Sequence, residues 1–317
     1  MAFGYQVLGF GSAAAAAAGP SVTLQGDIAV WFGGYTSGYT NVMEWFKISS
    51  AGDATDFGDV HHTIANQGAC SNGPRGCSGG GFYPDVYVEV IEYVTFASLA
   101  DAQDFGDLTV GRGSGPAALS NGTRGCWGGG NNDPYGSYLN TIDFVVLAST
   151  GDATDFGNLT VARGRAGACC DGTTGIWMGG DIASFTTTID YITVASEADA
   201  SDFGDITGSA RGYGSACSDL TKGLLMGGTT GSYINTIDYV NIASTGDASD
   251  FGDLQSGKAN GAAASDNTKG VFAGGYTSVG DANQDAIDVV NIASLGDATD
   301  FGNLAIAKRY PAGTSGD

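Results

Sequence analysis

Aspartate is the residue that this chain offers most regularly for chemistry. The phrase GDATDFG, or a close variant of it, occurs six times, and its central aspartates are spaced by 47 to 51 residues. These aspartates are Asp56, Asp104, Asp155, Asp202, Asp250 and Asp300. Carboxylates serve as general acids and bases, and they also hold calcium. Six near-equivalent copies at a steady period, however, are typical of a repeated scaffold rather than of one catalytic pair.

Other side chains that act in catalysis are scarce. The two histidines, His61 and His62, are adjacent on a predicted strand, so their side chains point to opposite faces. We therefore expect neither a two-histidine metal site nor a Ser-His-Asp triad. No catalytic residue, no resident metal and no cofactor are predicted, and calcium bridging the aspartate-rich turns is the alternative.

The charge balance narrows the classes of partner. The formal net charge is −22, with only 12 Lys and Arg residues among 317. Such a chain is repelled by phosphate backbones, so nucleic acid is not expected as a partner. No stretch approaches the roughly 20 apolar residues of a membrane helix, and membrane insertion is not expected. The first residues lack a basic segment, which argues against a signal peptide.

Cysteine occupies recurrent positions of the repeat. Cys70, Cys169 and Cys217 share one position, and Cys77 and Cys126 share another; other repeats carry Ala, Thr, Leu, Ile or Val there. Exchange with small apolar residues indicates buried cysteines rather than ligands or nucleophiles. We expect their thiols to be reduced.

Each repeat contains four short β-type segments. A run of small residues such as AGACC comes first, and an apolar run ending in paired glycines, such as GIWMGG, comes second. The third, such as TIDYITV, alternates apolar and polar residues, and the fourth begins at the Asp-Phe-Gly triplet. Four strands per repeat of about 48 residues, without helical periodicity, predict the blades of a β-propeller.

The repeats resemble kelch repeats. The resemblance covers about residues 27–317 and rests on the paired glycines of the second strand, the apolar third strand, an aromatic residue at the start of the fourth and a basic residue at its end. Kelch repeats usually have Trp where this chain has Phe. A narrower likeness, carried by TGDATDFGNLTVAR at residues 150–163 and by MAFGYQVLGFGS at the start, is to virion proteins of marine bacteriophages.

Counting strands predicts how the ring closes. The first complete second strand begins at residue 29, and a sixth first strand falls at residues 311–317. We predict an all-β, six-bladed propeller over residues 27–317, in which the C-terminal strand docks on the first blade and removes two open edges. Residues 11–19 are the competing segment for that place. Residues 1–26 form a Gly/Ala-rich N-terminal arm for assembly or docking.

The repeated phrase is predicted to build the blade junctions. Its first aspartate sets a turn by accepting hydrogen bonds from backbone amides two residues on, as at Asp53, Asp152, Asp247 and Asp297. Its phenylalanine fills the gap between neighbouring blades; the six are Phe57, Phe105, Phe156, Phe203, Phe251 and Phe301.

Nine of the 12 basic residues occupy two positions of the repeat. Those that end the fourth strand are Arg112, Arg163, Arg211, Lys258 and Lys308, and those that precede the second are Arg75, Arg124, Lys222 and Lys269. Because Arg forms two-pronged bonds with carboxylates, we predict that these cations pair with the aspartate of the Asp-Phe-Gly triplet.

The loops between second and third strands vary most and carry aromatic residues. They all fall on one side of the predicted ring, and aromatic side chains on loops of a stiff scaffold are a common way to build a binding face. The candidate binding residues are Tyr35, Tyr39, Tyr83, Tyr135, Tyr138, Phe185, Tyr233 and Tyr276. The alternative is that these rings only cover the ends of the blades.

The functional expectation is a non-enzymatic phage virion protein. The resemblance implies a tail-fibre or surface-adhesion module, located in the virion and assembled in the host cytoplasm. Expected partners are other virion subunits through residues 1–26 and a host surface glycan or protein, within a homo-oligomer in a larger assembly. The alternatives are a polysaccharide-active propeller enzyme and a cellular surface binding protein of an aquatic bacterium.

Overall fold

Every repeat folds into one four-stranded antiparallel sheet. The computed structural model describes residues 25–84, 86–132, 137–277 and 282–317. Within these ranges it contains strands and turns but no helix. Six four-stranded sheets form an all-β, six-bladed β-propeller, which confirms the predicted fold.

The strands of each blade follow one another from the central channel outward. Blade 1 contains β28 (Ala312–Gly316), β1 (Ile28–Phe32), β2 (Val42–Lys47) and β3 (Thr55–Asp59). Blade 2 contains β4 (Gly68–Ser71), β5 (Arg75–Gly79), β8 (Val90–Thr95) and β9 (Gln103–Asp107). Blade 3 contains β10 (Ala117–Ser120), β11 (Arg124–Gly128), β12 (Thr141–Val146) and β13 (Thr154–Asn158).

The remaining blades have the same order. Blade 4 contains β14 (Gly167–Cys170), β15 (Thr174–Met178), β16 (Thr188–Thr193) and β17 (Ser201–Asp205). Blade 5 contains β18 (Ser215–Ser218), β19 (Lys222–Met226), β20 (Thr236–Asn241) and β21 (Ser249–Asp253). Blade 6 contains β22 (Ala262–Ser265), β23 (Lys269–Ala273), β26 (Ala286–Asn291) and β27 (Thr299–Asn303). Two small hairpins extend the loops, β6 (Phe82–Tyr83) with β7 (Val86–Tyr87) and β24 (Tyr276–Thr277) with β25 (Ala282–Asn283).

The C-terminal strand closes the ring. β28 pairs antiparallel with β1, and Thr314 lies opposite Val30. β28 also contacts β22 and β4, the innermost strands of the two neighbouring blades. The predicted closure is therefore confirmed. The competing segment, residues 11–19, and the arm up to residue 24 lie outside the described residues.

The hydrophobic core is divided among the blade junctions. Six clusters of buried apolar residues occur, and each contains residues of two neighbouring blades. The repeated phenylalanines are buried in these clusters; Phe156 of blade 3, for example, packs with Ile192 and Val194 of blade 4. The predicted place of the phenylalanines between blades is confirmed. Full burial of such a ring contributes roughly 1.5–3 kcal/mol.

The first aspartate of the repeated phrase binds the neighbouring blade. Asp152 Oδ1 accepts a hydrogen bond at 3.2 Å from the backbone amide of Asp107, the last residue of β9. Asp53, Asp101, Asp199, Asp247 and Asp297 accept equivalent bonds of 2.9–3.0 Å from Asn303, Asp59, Asn158, Asp205 and Asp253. The predicted partner, an amide two residues on, is wrong, because the loop lies against the outer strand of the preceding blade.

The strand-ending cations bind a different aspartate from the predicted one. Arg112 Nη2 lies 2.6 Å from Asp143 Oδ2 on β12 of the next blade, and both side chains are fully buried. The corresponding pairs are Arg163–Asp190, Arg211–Asp238, Lys258–Asp288 and Lys308–Glu44, at 2.6–3.1 Å. The Asp-Phe-Gly aspartate is exposed instead, since the register shift opposite Ile142 turns Phe156 inward and leaves Asp155 outside. The predicted pairing is wrong.

The junction between blades 1 and 2 departs from this pattern. Ile64 has the place of the cation and belongs to the apolar cluster of that junction. The buried carboxylate of Glu92 is bound by His61 instead, with Nδ1 at 2.6 Å and the backbone amide at 3.0 Å from Oε1. His61 is half exposed, so this junction lacks the fully buried ion pair of the other five.

The cations that precede the second strands also bind the next blade, but through backbone carbonyls. Lys269 Nζ lies 3.1 Å from the carbonyl oxygen of Ile48, and Lys222 Nζ lies 3.0 Å from that of Ile292. Arg75 Nη1 reaches the carbonyl of Leu147 at 3.3 Å. Arg124 in addition binds the exposed carboxylate of Glu197 at 3.0 Å. None of these four pairs with an Asp-Phe-Gly aspartate in the described chain.

Candidate functional site

Two sets of loops meet at one end of the propeller, which we call the loop face. One set joins second to third strands, and the other joins each fourth strand to the next blade. The two sets are bonded together; the Tyr35 amide donates to the Arg309 carbonyl at 2.7 Å. Corresponding bridges are Ala65–Phe82, Gly113–Asn131, Gly164–Asp181, Gly212–Thr229 and Ala259–Tyr276. All six predicted loops therefore lie on one side of the ring.

Six residues, one from each loop between blades, surround the channel on the loop face. We call them the mouth residues: Asn66, Ser114, Arg165, Tyr213, Asn260 and Tyr310. Each has a positive φ, from 47° to 64°. The Tyr213 amide donates to the Arg165 carbonyl at 2.9 Å, and the Tyr310 amide donates to the Asn260 carbonyl at 2.6 Å. Equivalent bonds join Asn66 to Tyr310, Asn260 to Tyr213 and Arg165 to Ser114, so hydrogen bonds join five of the six neighbouring pairs of mouth residues.

The left-handed conformation of the mouth residues is unfavourable for most of them. Asn adopts it readily, but Arg and Tyr do so at a cost of about 1–3 kcal/mol each. Hydrogen bonds between neighbouring loops support this backbone, and four different residue types, Asn, Ser, Arg and Tyr, occupy it. Bulky side chains held in strained positions at the mouth of a channel indicate a functional surface.

Five of the six mouth residues, all except Ser114, border a cavity of about 110 Å³. Its wall includes first-strand Ala and Gly residues together with Gln67 and Asn260. Gln67 is 7% and Asn260 is 9% exposed, yet Gln67 Oε1 and Asn260 Oδ1 have no hydrogen-bond partner among the described residues. Buried acceptors without partners are unfavourable, and native structures contain few of them.

A polar cluster lies beside the mouth at blade 4. Arg165 Nη1 binds Asp181 Oδ2 at 2.7 Å, and the Arg165 guanidinium lies 4.4 Å from the centre of the Tyr213 ring. Burial raises the pKa of Tyr213 to about 12. Burial and a hydrogen bond to Asp181 also raise the pKa of Tyr138. Both phenols therefore stay protonated at neutral pH and can donate hydrogen bonds.

The predicted loop aromatics are half-buried, and most contact other rings. Tyr35 and Tyr39 lie edge to face at 5.3 Å, and Tyr39 contacts Phe82 of blade 2 at 5.8 Å. Tyr233 of blade 5 contacts Tyr276 of blade 6 at 5.8 Å. The structure thus brings these residues together as a row across blades 5, 6, 1 and 2.

The other predicted aromatics lie elsewhere on the loop face. Tyr83 stacks on His62 at 5.8 Å, and Phe185 contacts the mouth residue Tyr213 at 6.3 Å. Tyr138 belongs to the polar cluster at Asp181. Tyr135 lies outside the described residues.

The sequence alone did not identify the mouth residues or Arg309. Tyr213, Tyr310, Arg165 and Arg309 were not among the candidates, because they fall in the loops between blades rather than between second and third strands. One signal was available: Arg165 and Arg309 are two of the three basic residues, with Lys47, that stand outside the two cation positions of the repeat.

The opposite end of the channel is closed by hydroxyl groups and by Gln25. Ser71 Oγ donates to the Ser315 carbonyl at 2.6 Å, and Ser315 Oγ donates to the Ser265 carbonyl at 2.6 Å. Gln25 Nε2 donates to Ser218 Oγ at 3.0 Å, and Gln25 Oε1 accepts a hydrogen bond from Ser265. The chain that leads from the N-terminal arm therefore enters the propeller at the axis, on the end opposite the loop face.

The described residues contain no group of three or more His, Cys, Asp or Glu side chains that would hold a metal ion. All six cysteines carry free, buried thiols, and burial raises the pKa of Cys77 to about 12. Thiols with such a pKa are poor nucleophiles at neutral pH. No helix in the described ranges is long and apolar enough to span a membrane. Models of known protein families and curated protein sequences give no match to this chain.

Proposed function

We propose that the protein is a non-enzymatic binding module whose loop face contacts a receptor or a partner subunit. The mouth residues carry this proposal. The same backbone conformation occurs six times, yet Arg, Tyr, Ser and Asn occupy it. Three of the six residues, Arg165, Tyr213 and Tyr310, have large side chains for which a positive φ is unfavourable. A rigid scaffold that presents different side chains at equivalent positions is suited to specific recognition.

The placement of the carboxylates supports a role without catalysis. An acid–base pair needs two titratable groups in different environments, so that their pKa values separate. Here five buried carboxylates bind Lys or Arg, and the sixth binds His61. The six Asp-Phe-Gly aspartates are all exposed and equivalent.

We further propose that this module belongs to a bacteriophage virion, as a tail-fibre or surface-adhesion protein assembled in the host cytoplasm. The phrase TGDATDFGNLTVAR and the N-terminal MAFGYQVLGFGS support this assignment. Host surface glycan or protein would meet the loop face. Residues 1–26 would contact other virion subunits, within a homo-oligomer in the larger assembly.

The position of Gln25 supports this polarity. The arm joins the propeller at the channel end that faces away from the mouth residues. An attachment made through the arm therefore leaves the loop face free to point outward.

The proposal is tested on virions. Mass spectrometry of purified particles should find this chain as a structural component, and deletion of residues 1–24, which keeps Gln25, should reduce its incorporation. Presence in the envelope of uninfected cells, but not in particles, would favour the cellular surface protein instead.

The loop face is tested on assembled particles. The double variant Tyr213→Ala, Tyr310→Ala should leave incorporation unchanged and lower attachment to host cells by about tenfold or more. Unchanged attachment would contradict a role for the mouth residues in recognition.

A further inference from the structure

Arg309 has no carboxylate partner among the described residues of this acidic protein. Nine of the 12 basic residues bind neighbouring blades from the two repeat positions, and Arg165 is neutralised by Asp181. No ion pair of the described residues includes Arg309. In a chain of net charge −22, an unpaired guanidinium on the loop face is the place where an anionic group is attracted.

Three tyrosine rings surround the Arg309 guanidinium. Its carbon lies 4.7 Å from the centre of the Tyr276 ring, 4.9 Å from that of Tyr35 and 5.4 Å from that of Tyr310. Asn283 of β25 braces Tyr35, because its Nδ2 lies 3.1 Å from the Tyr35 carbonyl oxygen. The rings hold the guanidinium plane in place, so little rotamer entropy remains to be lost on binding.

Among the described residues, the Arg309 guanidinium has no carboxylate partner, and its buried Nε has no hydrogen-bond partner. Its two Nη groups are therefore the donors left for a ligand. A guanidinium presents a planar fork of donors that matches the two oxygens of a carboxylate.

The rings around Arg309 belong to a larger group of aromatic residues. Tyr233 extends it on one side through Tyr276, and Tyr39 extends it on the other through Tyr35. Flat phenol rings with a polar edge pack against the C–H face of a sugar ring and donate hydrogen bonds to its hydroxyl groups.

We propose that Arg309 and the Tyr35, Tyr276 and Tyr310 rings bind the carboxylate of an acidic sugar. The inference rests on the proposed function, since it names the ligand class of the loop face. A single acidic residue, such as the end of a glycan chain, fits better than a polyanion, which the net charge of −22 repels.

A peptide fits this face less well. Extended peptides commonly bind by adding a strand to an open sheet edge, and helices bind in apolar grooves. On the loop face each loop between second and third strands is already paired with the loop of the preceding blade, as Tyr35 is with Arg309. The cavity has a volume of only about 110 Å³.

The test compares methyl β-D-glucuronide with methyl β-D-glucoside, which differ only in the carboxylate at C6. Binding to the full chain is followed by titration in NMR spectra or by calorimetry. The glucuronide should bind at least tenfold more tightly, as expected for a charge-assisted hydrogen bond. Arg309→Gln should abolish this preference, and Arg309→Lys should retain only part of it.

Lys47→Gln is the matched control. It removes the same charge from an exposed residue at the end of β2, away from the loop face, and should leave the preference unchanged. The melting temperature of each variant, measured on the same samples, separates lost binding from lost folding.

Several results would overturn the proposal. They are equal binding of the two sugars, no binding of either, or a preference that survives in folded Arg309→Gln. Tighter, Arg309-dependent binding of a glutamate-containing peptide would reassign the site to protein ligands. If the Tyr213→Ala, Tyr310→Ala particles still lose attachment in these cases, the binding module stands and only the acidic-sugar assignment fails.

Discussion

At the residue scale, burial decides what each aspartate does. Asp143 and Asp155 lie opposite each other on neighbouring strands of blade 3. Asp143 is fully buried and bound to Arg112, while Asp155 of the repeated phrase is exposed. The sequence pattern favoured Asp155 as the partner of the cation, because Asp155 belongs to the longer phrase that recurs in every repeat. The one-residue register shift at this point turns Phe156 inward and leaves Asp155 exposed.

We expect Asp143→Asn to lower the free energy of unfolding by about 3–5 kcal/mol, because it leaves the buried Arg112 charge without its partner. Urea unfolding followed by circular dichroism measures this loss. The matched change Asp155→Asn, on the facing strand, should alter the free energy of unfolding by no more than about 0.5 kcal/mol. Equal losses in the two variants would mean that the Asp-Phe-Gly aspartate shares the ion pair.

At the scale of elements, the loop before each outer strand covers the outer strand of the preceding blade. Gly157 permits this contact, since a Cβ atom there would lie 2.5 Å from the carbonyl oxygen of Ala198. Asp199 and Ala200 of the same loop bond to the backbone of Asn158. Each blade therefore uses its neighbour to protect a strand edge that would otherwise be open to association.

The glycine of the Asp-Phe-Gly triplet provides the test of this contact. Gly157→Ala combines an unfavourable backbone, at a φ of 145°, with the clash against Ala198. Gly151→Ala has the same backbone cost, at a φ of 152°, but its Cβ would have no atom within 4 Å. We expect Gly157→Ala to lose about 1–3 kcal/mol more in unfolding free energy than Gly151→Ala. Similar losses in calorimetry would show that the close approach contributes little.

At the scale of the whole molecule, the ring concentrates negative charge on its surface. Most basic residues are buried or bound at the blade junctions, whereas the Asp-Phe-Gly aspartates are exposed. Repulsion among these carboxylates opposes the compact state and is screened by salt. We therefore expect salt to stabilise the folded protein.

We expect the melting temperature to rise by roughly 5 °C or more between 0.05 M and 1 M NaCl, because the Debye length falls to about 3 Å. Differential scanning calorimetry measures this shift. Calcium chloride at matched ionic strength should have the same effect, and EDTA should have none beyond its own ionic strength. A larger, EDTA-reversible rise at millimolar calcium would establish the calcium alternative, and a flat salt series would contradict charge repulsion.

The sequence by itself determined the propeller, the number of blades and the place of the seam. Those properties depend on periodicity, strand alternation and a count of strands, all of which are local along the chain. The sequence also predicted that the phenylalanines lie between blades, because an apolar ring that occurs in every repeat has to be buried at a position that all repeats share.

Only the tertiary structure decided which polar groups meet. Arg112 and Asp143 are 31 residues apart, and the register shift that leaves Asp155 exposed arises from the pairing of two strands. The mouth residues share a backbone conformation that the closed ring imposes, but their identities vary among Asn, Ser, Arg and Tyr, so a repeat search does not detect them. Arg309 meets Tyr35 because the ends of the chain are joined at the seam. Contacts across a junction depend on how neighbouring blades dock, and that geometry cannot be derived from the spacing of residues within one repeat.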